Sequence, residues 1–187
     1  MQKEVTKSWA LFIGIGIIMI AHGLQMQLMG IRSVVENFSV ITTGIFMSGY
    51  FIGYFLGSNT TPKLVQKVGH IRVFAAFASL ASLSALLAAV YVNPVMWTLS
   101  RFITGISLVS CYIVTESWLN DRATNKNRGQ LLSAYMIILY TGLGIGMLLL
   151  NVSDPTNYEP FILVSVLLSL SLIHISEPTR LLSSAVC

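Results

Sequence analysis

Charge is what this chain has least of. Only 10% of its 187 residues are Asp, Glu, Lys or Arg, against about 25% in a soluble globular domain. The hydrophobic share is 55% and the mean hydropathy is +0.76, a balance that excludes an ordinary soluble domain. Cysteine is nearly absent as well. Cys111 falls within an apolar run and Cys187 is the last residue, so there is neither a disulfide framework nor a metal-ligand spacing. The three histidines, His22, His70 and His174, lie in separate segments without paired carboxylates, so no metal and no cofactor is expected. The pI of 9.2 could suggest nucleic acid. The basic residues, however, fall in short blocks between apolar runs with no stripe of interleaved aromatics, which excludes that partner.

What the chain does have is long apolar runs, at about 9–30, 40–61, 71–92, 95–119, 129–150 and 158–173. The first five can each cross a hydrocarbon layer of ~30 Å as helices rising ~1.5 Å per residue, and the sixth reaches the lower limit. Backbone polar groups in lipid must be satisfied within their own segment, so the runs predict helices, and the alternation that a β-barrel needs is absent. The expected fold class is therefore an all-α polytopic membrane protein with six transmembrane helices in a lipid bilayer. Residues 1–173 form its single domain.

Lys3, Lys7, Lys63, Lys67, Arg72, Arg122, Lys126 and Arg128 fall on one side of this topology, and only Arg32 on the other. That eight-to-one bias predicts a cytoplasmic N-terminus, and an even number of spans returns the C-terminus to the same side. The first run is too long for a leader h-region and ends in the polar residues His22, Gln25 and Gln27, so it is read as helix one. A short outer turn is expected at Asn93 and Pro94, with longer inner loops over 62–72 and 120–128. Residues 174–187 stand apart. The segment 174–184 resembles a peptide produced when sequencing-adapter read-through is translated, the alternative being a genuine short cytoplasmic tail.

Gly49, Gly53 and Gly57 recur every four residues, and Gly142 and Gly146 repeat the device with Gly144 between them. Such rows let another helix backbone approach closely. They serve either as ordinary helix contacts or as surfaces that rock during a transport cycle. They are no phosphate-cradling loop, which needs a strand before it and a helix N-terminus after it.

Ionisable residues inside spans are the first functional candidates, because polar groups in lipid are costly unless paired. Arg101 and Glu116 qualify. They are fifteen residues apart on one helix, about 22 Å, so each needs its own partner. Arg101 either snorkels to the outer interface or is a buried cation that binds an anionic group or tunes a proton-carrying acid, with Gly105 one turn later permitting close contact. Glu116 either pairs at the helix end with Arg122, Arg128 or Lys67, or serves the transport pathway. Gln25, Tyr50, Tyr54, Tyr112 and Tyr140 are candidates for a polar cavity lining, their other reading being interhelical hydrogen bonds. Tyr50 and Tyr54, four apart, share a face. An intramembrane enzyme needs a nucleophile and a base on facing helices. No Ser and His are expected at compatible depths, so the chain is read as not an enzyme.

Three segments carry a family resemblance: Pro62-Lys63-Leu64-Val65-Gln66-Lys67-Val68-Gly69-His70-Ile71-Arg72; the Arg101-Phe102-Ile103-Thr104-Gly105 motif; and Glu116-Ser117-Trp118-Leu119-Asn120 followed by Asn127-Arg128-Gly129. Together with the order of spans they resemble the N-terminal half of a major facilitator superfamily transporter, nearest its bacterial YcaD-like branch, over nearly everything up to Ile173. The resemblance implies a twelve-helix bundle of two six-helix halves, with solute bound at the midplane between them and released by rocking. It further implies secondary active transport of a small solute across the bacterial inner (plasma) membrane, in its finer form proton-coupled efflux. The chain then stands as a truncated fragment whose partner is the missing C-terminal half or a second copy. Lys67, Gly69 and Arg72 match the family's cytoplasmic gate loop, but Pro62 replaces its leading Gly and Gln66 its acid, so the charge-relay form of that latch does not carry over. Arg101 and Gly105 match a motif associated with proton coupling. The alternative is a non-transporting six-helix scaffold or regulatory module. Solute identity stays open among sugars, amphipathic drugs and amino-acid derivatives.

Overall fold

Apolar runs of this length satisfy their backbone polar groups as helices, and the described residues form six of them. The computed structural model describes residues 2–183, with side chains described for 9–151 and 153–172; residues 184–187 and the side chains of Lys3 and Lys7 lie outside that description. The helices are α1 (Gln2–Val35), α2 (Val40–Val68), α3 (His70–Val90), α4 (Pro94–Arg122), α5 (Arg128–Leu149) and α6 (Glu159–Ser183), with a 3-10 turn at Leu150–Val152. Five helical segments are long and apolar enough to cross a membrane, and the apolar part of α6, Glu159–Leu172, is shorter. The chain is all-α, as its composition implies.

The helix ends explain where the chain turns. Asn93 Oδ1 accepts from the Val95 N–H at 2.8 Å and Pro94 opens α4, a favourable first position because its missing N–H has no helical partner there. Ser39 caps α2 through the Thr42 N–H at 3.1 Å. At the same end, Arg32 pairs with Glu36 at 2.6 Å and donates to the carbonyls of Pro155, Thr156 and Asn157, which ties α1 to the α5–α6 connection. Asp154 shapes that connection by accepting from the Thr156 hydroxyl and N–H, and these bonds hold its carboxyl below the usual value.

The opposite end, which carries Lys63, Lys67, Arg72, Arg122, Lys126 and Arg128, departs from expectation. The segment 62–72 is not a loop. Helix α2 runs through Pro62 to Val68, and Gly69 alone, at φ +86°, separates it from α3. Proline removes a single N–H, and one turn of α2 beside it is pinned by Thr61, whose hydroxyl donates to the Gly57 carbonyl and bonds the Ser110 hydroxyl of α4, both at 2.7 Å. The 120–128 segment likewise shrinks to a turn after Arg122. The backbone of α6 stays helical past the end of the apolar run at 173.

Packing repeats itself. Helix α4 lies against α2 and α3, α1 lies against α5 and α6, and α3 meets α6, so exchanging helices one to three for four to six leaves the pattern unchanged. The glycines give the register. A Cβ at Gly49, Gly53 or Gly105 would collide with the backbone of Thr98, Phe102 or Tyr50, respectively; at Gly142, Gly146 or Gly23 it would meet Gly16, Ile20 or Leu143. Adding 82 to α1 numbers (16, 20, 23) gives 98, 102 and 105, and adding 93 to α2 numbers (49, 50, 53) gives 142, 143 and 146. Because the copies lie three helices apart in chain order, an odd step, they run in opposite senses, as in an inverted repeat.

Buried polar groups staple the layers. Gln25 of α1 reaches Thr104 of α4 at 3.5 Å, Thr104 bonds Ser84 of α3 at 2.8 Å, and Ser82 bonds Ser165 and Ser169 of α6 at 2.7 and 3.0 Å. Trp97 is fully buried, with its indole N–H on the Ala88 carbonyl at 3.0 Å. The close crossings make a prediction. Gly53→Val has to push α2 off α4 and costs about 1–3 kcal/mol of stability, whereas Gly144→Ala, which meets nothing within 4 Å inside α5, should stabilise by about 0.5–1 kcal/mol by removing glycine's backbone freedom. Thermal unfolding in detergent micelles reads both.

Candidate functional site

Large side chains that cannot enter the glycine crossings collect beside them and line an open-sided cavity of about 320 Å³, with Met26, Met136 and Tyr140 exposed on its wall. Four helices build its wall. Helix α1 gives Met19, His22 and Met26; α2 gives Tyr50 and Tyr54; α4 gives Val109, Tyr112, Ile113 and Glu116; α5 gives Tyr135, Met136, Leu139, Tyr140 and Leu143. The three- and four-residue spacings keep each set on one helix face. Among the described residues, none of the lining comes from α3 or α6. The cavity runs from the level of Gly105, whose neighbours Tyr50 and Tyr54 belong to the wall, toward Glu116, eleven residues and about 16 Å further along α4 at the basic end.

Arg101 is buried in the bundle at 3% exposure and does not line the cavity. Its guanidinium carbon sits 4.9 Å from the centroid of the Tyr50 ring, an attraction between a cation and an electron-rich face. His22 stacks on the same ring at 5.5 Å with 18° between planes. Arg101 Nε and Nη1 and His22 Nδ1 are buried without a hydrogen-bond partner, a costly arrangement in a protein interior. Gly105 supplies the close α2–α4 contact that its spacing from Arg101 suggests.

Glu116 does not take the ion pairs open to it in the sequence. It forms no salt bridge among the described residues, and its Oε1 accepts from the Tyr135 hydroxyl at 3.2 Å. Tyr50, Tyr54, Tyr112 and Tyr140 line the cavity. Gln25 does not. It is 1% exposed and turned to Thr104, because the face of α1 that carries it meets α4. Sequence reasoning missed Tyr135, which lies two turns before Gly142 and so on the glycine side of α5, and the Met19 and Met26 pair, seven apart around His22.

Lys67, Gly69 and Arg72 remain at the basic end, exposed and apart from the cavity. Beside them lies a pocket of about 340 Å³ formed by residues 68–72 and Trp118. His70 stacks on Trp118 at 6.1 Å, its Nε2 lies 3.1 Å from the Ser117 hydroxyl and 3.6 Å from Asp121, and Arg122 covers Trp118 at 4.9 Å. A serine and a histidine thus do meet, contrary to the expectation drawn from depth, because the helical continuation of α2 carries His70 to the end of α4. Serine and carboxylate both face the same nitrogen, so the ring cannot pass a proton from one to the other as a hydrolytic triad requires.

The family model described as Major Facilitator Superfamily matches residues 11–179. The chain belongs to the major facilitator superfamily. It is 32% identical over 116 residues to an uncharacterized MFS-type transporter of Enterobacter sp. (strain 638) and 32% identical over 118 residues to the uncharacterized MFS-type transporter YcaD of Escherichia coli O45:K1 (strain S88 / ExPEC). Each alignment covers 62% of this chain and 30% of the relative, so the chain spans about a third of the length of the curated relatives it matches. A multi-pass membrane protein of this superfamily accounts for the apolar helices. Both relatives are transporters by name.

In this major facilitator chain the Tyr50 ring, rather than its hydroxyl, is what Arg101 leans on. Tyr50→Phe should leave stability within about 0.5 kcal/mol, while Tyr50→Leu, which removes the π face, should cost about 1–2 kcal/mol or more. Comparative unfolding of the two variants in detergent decides the matter.

Proposed function

We propose that the chain forms one six-helix half of a secondary active transporter, and that its cavity is this half's share of the site for a small solute. The observation that carries this reading is the wall itself: one face of α1, α2, α4 and α5 presents tyrosines, a histidine and a carboxylate within an otherwise apolar bundle. Helices α2 and α5, which flank the cavity, are the least buried of the five membrane-length helices, with 22% of their apolar windows covered in each. That leaves them free to meet a second six-helix unit, either a C-terminal half or another copy, and to rock against it. The eight-to-one charge bias supports a cytoplasmic basic end, in the inner membrane of a bacterium. The cavity then reaches toward the cytoplasmic end, the side from which an exported solute would enter it.

Proton coupling is the finer part of the proposal. A buried guanidinium beside a histidine and the cavity wall raises the cost of placing a further positive charge, such as a proton, on its neighbours. In inverted membrane vesicles carrying the protein, solute accumulation should collapse on adding a protonophore, and Arg101→Ala should slow it about tenfold or more. Arg101→Lys, which keeps the charge but loses the planar stack, should fall between the two. Accumulation indifferent to protonophore and to both variants contradicts the coupling.

A further inference from the structure

We infer that the cavity takes an amphipathic organic cation, its positive group held by Glu116 and the neighbouring tyrosine faces; the inference rests on reading the cavity as the solute site. The charge on the wall is negative. Among the described residues, Glu116 is the sole charged side chain on the wall, and no salt bridge neutralises it. The Tyr135 hydroxyl occupies one of the roughly four lone-pair positions a carboxylate offers, leaving the rest for a ligand.

The wall is also aromatic. Five tyrosines line the wall, and ring faces attract cations within about 6 Å of the centroid. Tyr50 is already engaged by Arg101 and His22. Tyr54, Tyr112, Tyr135 and Tyr140 remain, the last three on the same helices as Glu116 and its partner. The rest of the lining is methionine and branched aliphatic surface, which suits a lipophilic body.

The competing classes find less. Arg101, which could attract an anion, is withdrawn from the wall and turned to Tyr50. Gln25, the amide best suited to hydroxyl-rich solutes such as sugars, is turned to Thr104. A volume near 320 Å³ from one half alone lies at the lower edge of small-molecule pockets, which run about 300–1,000 Å³.

Tetraphenylphosphonium and tetraphenylborate have nearly the same shape and opposite charge, so equilibrium binding of each to the chain in nanodiscs, corrected against empty nanodiscs, tests the inference. The phosphonium should bind saturably, Glu116→Gln should weaken it about tenfold without weakening the borate, and Tyr112→Leu should weaken the phosphonium more than Tyr112→Phe does. Unfolding temperatures of the variants confirm that each is folded. Borate binding that equals or exceeds phosphonium binding, or a phosphonium affinity that ignores Glu116→Gln, overturns the cation class while keeping the cavity as a solute site. If neither ion binds saturably, the cation class and the reading of the cavity as a solute site fall together.

Discussion

Backbone contact at two glycine-lined crossings is the constraint on which the rest of the bundle depends. Lipid is as apolar as the helices it surrounds, so burial alone does not draw helices together; close approach and interhelical hydrogen bonds do. At Gly53 and Gly105 the backbones of α2 and α4 meet with no side chain between them, and Gly146 and Gly23 do the same for α5 and α1. The matching registers mean that one solution is used twice, in opposite senses across the layer. Serine contacts, Ser82 with Ser165 and Ser169, then tie together α3 and α6, which have no glycine row.

The cavity follows from those crossings. Residues whose backbones press against a glycine cannot place their side chains inside the contact, so they project beside it. Tyr50 and Tyr54 touch Gly105 through their backbones and send their rings to the wall, and Leu143 does so opposite Gly23. The same geometry seats Arg101 one turn before Gly105, against the ring of Tyr50. Packing and site are therefore one arrangement, and a change at a glycine reaches the wall without touching it.

The sequence carried the helices because apolar runs of membrane length have one backbone solution, and it carried the glycine rows and Arg101 because spacing on a single helix determines a face. It carried less where two helices decide together. Gln25 and Tyr54 look alike as polar residues in apolar runs, and only the α1–α4 contact sends the first to Thr104 while the second lines the cavity. Tyr135 passed unnoticed because its partner, Glu116, lies on another helix. The polar segment 62–72 reads as a loop, since Pro62 and the lysines disfavour a buried helix; hydrogen bonds from Thr61 to α2 and α4 keep it helical outside the apolar layer and carry His70 to Ser117.

If the wall made by α1, α2, α4 and α5 is what water and solute reach, then α3 and α6, which give it no residue among those described, turn their exposed faces to lipid. Single cysteines introduced into the chain with Cys111 and Cys187 replaced, then challenged in membranes with a hydrophilic maleimide, test it most directly. Tyr112→Cys, Glu116→Cys and Met136→Cys should label, whereas Leu83→Cys on α3 and Val166→Cys on α6, at positions 55% and 46% exposed in the isolated chain, should stay unlabelled. Labelling at Leu83 and Val166 with protection at the cavity positions would contradict the account.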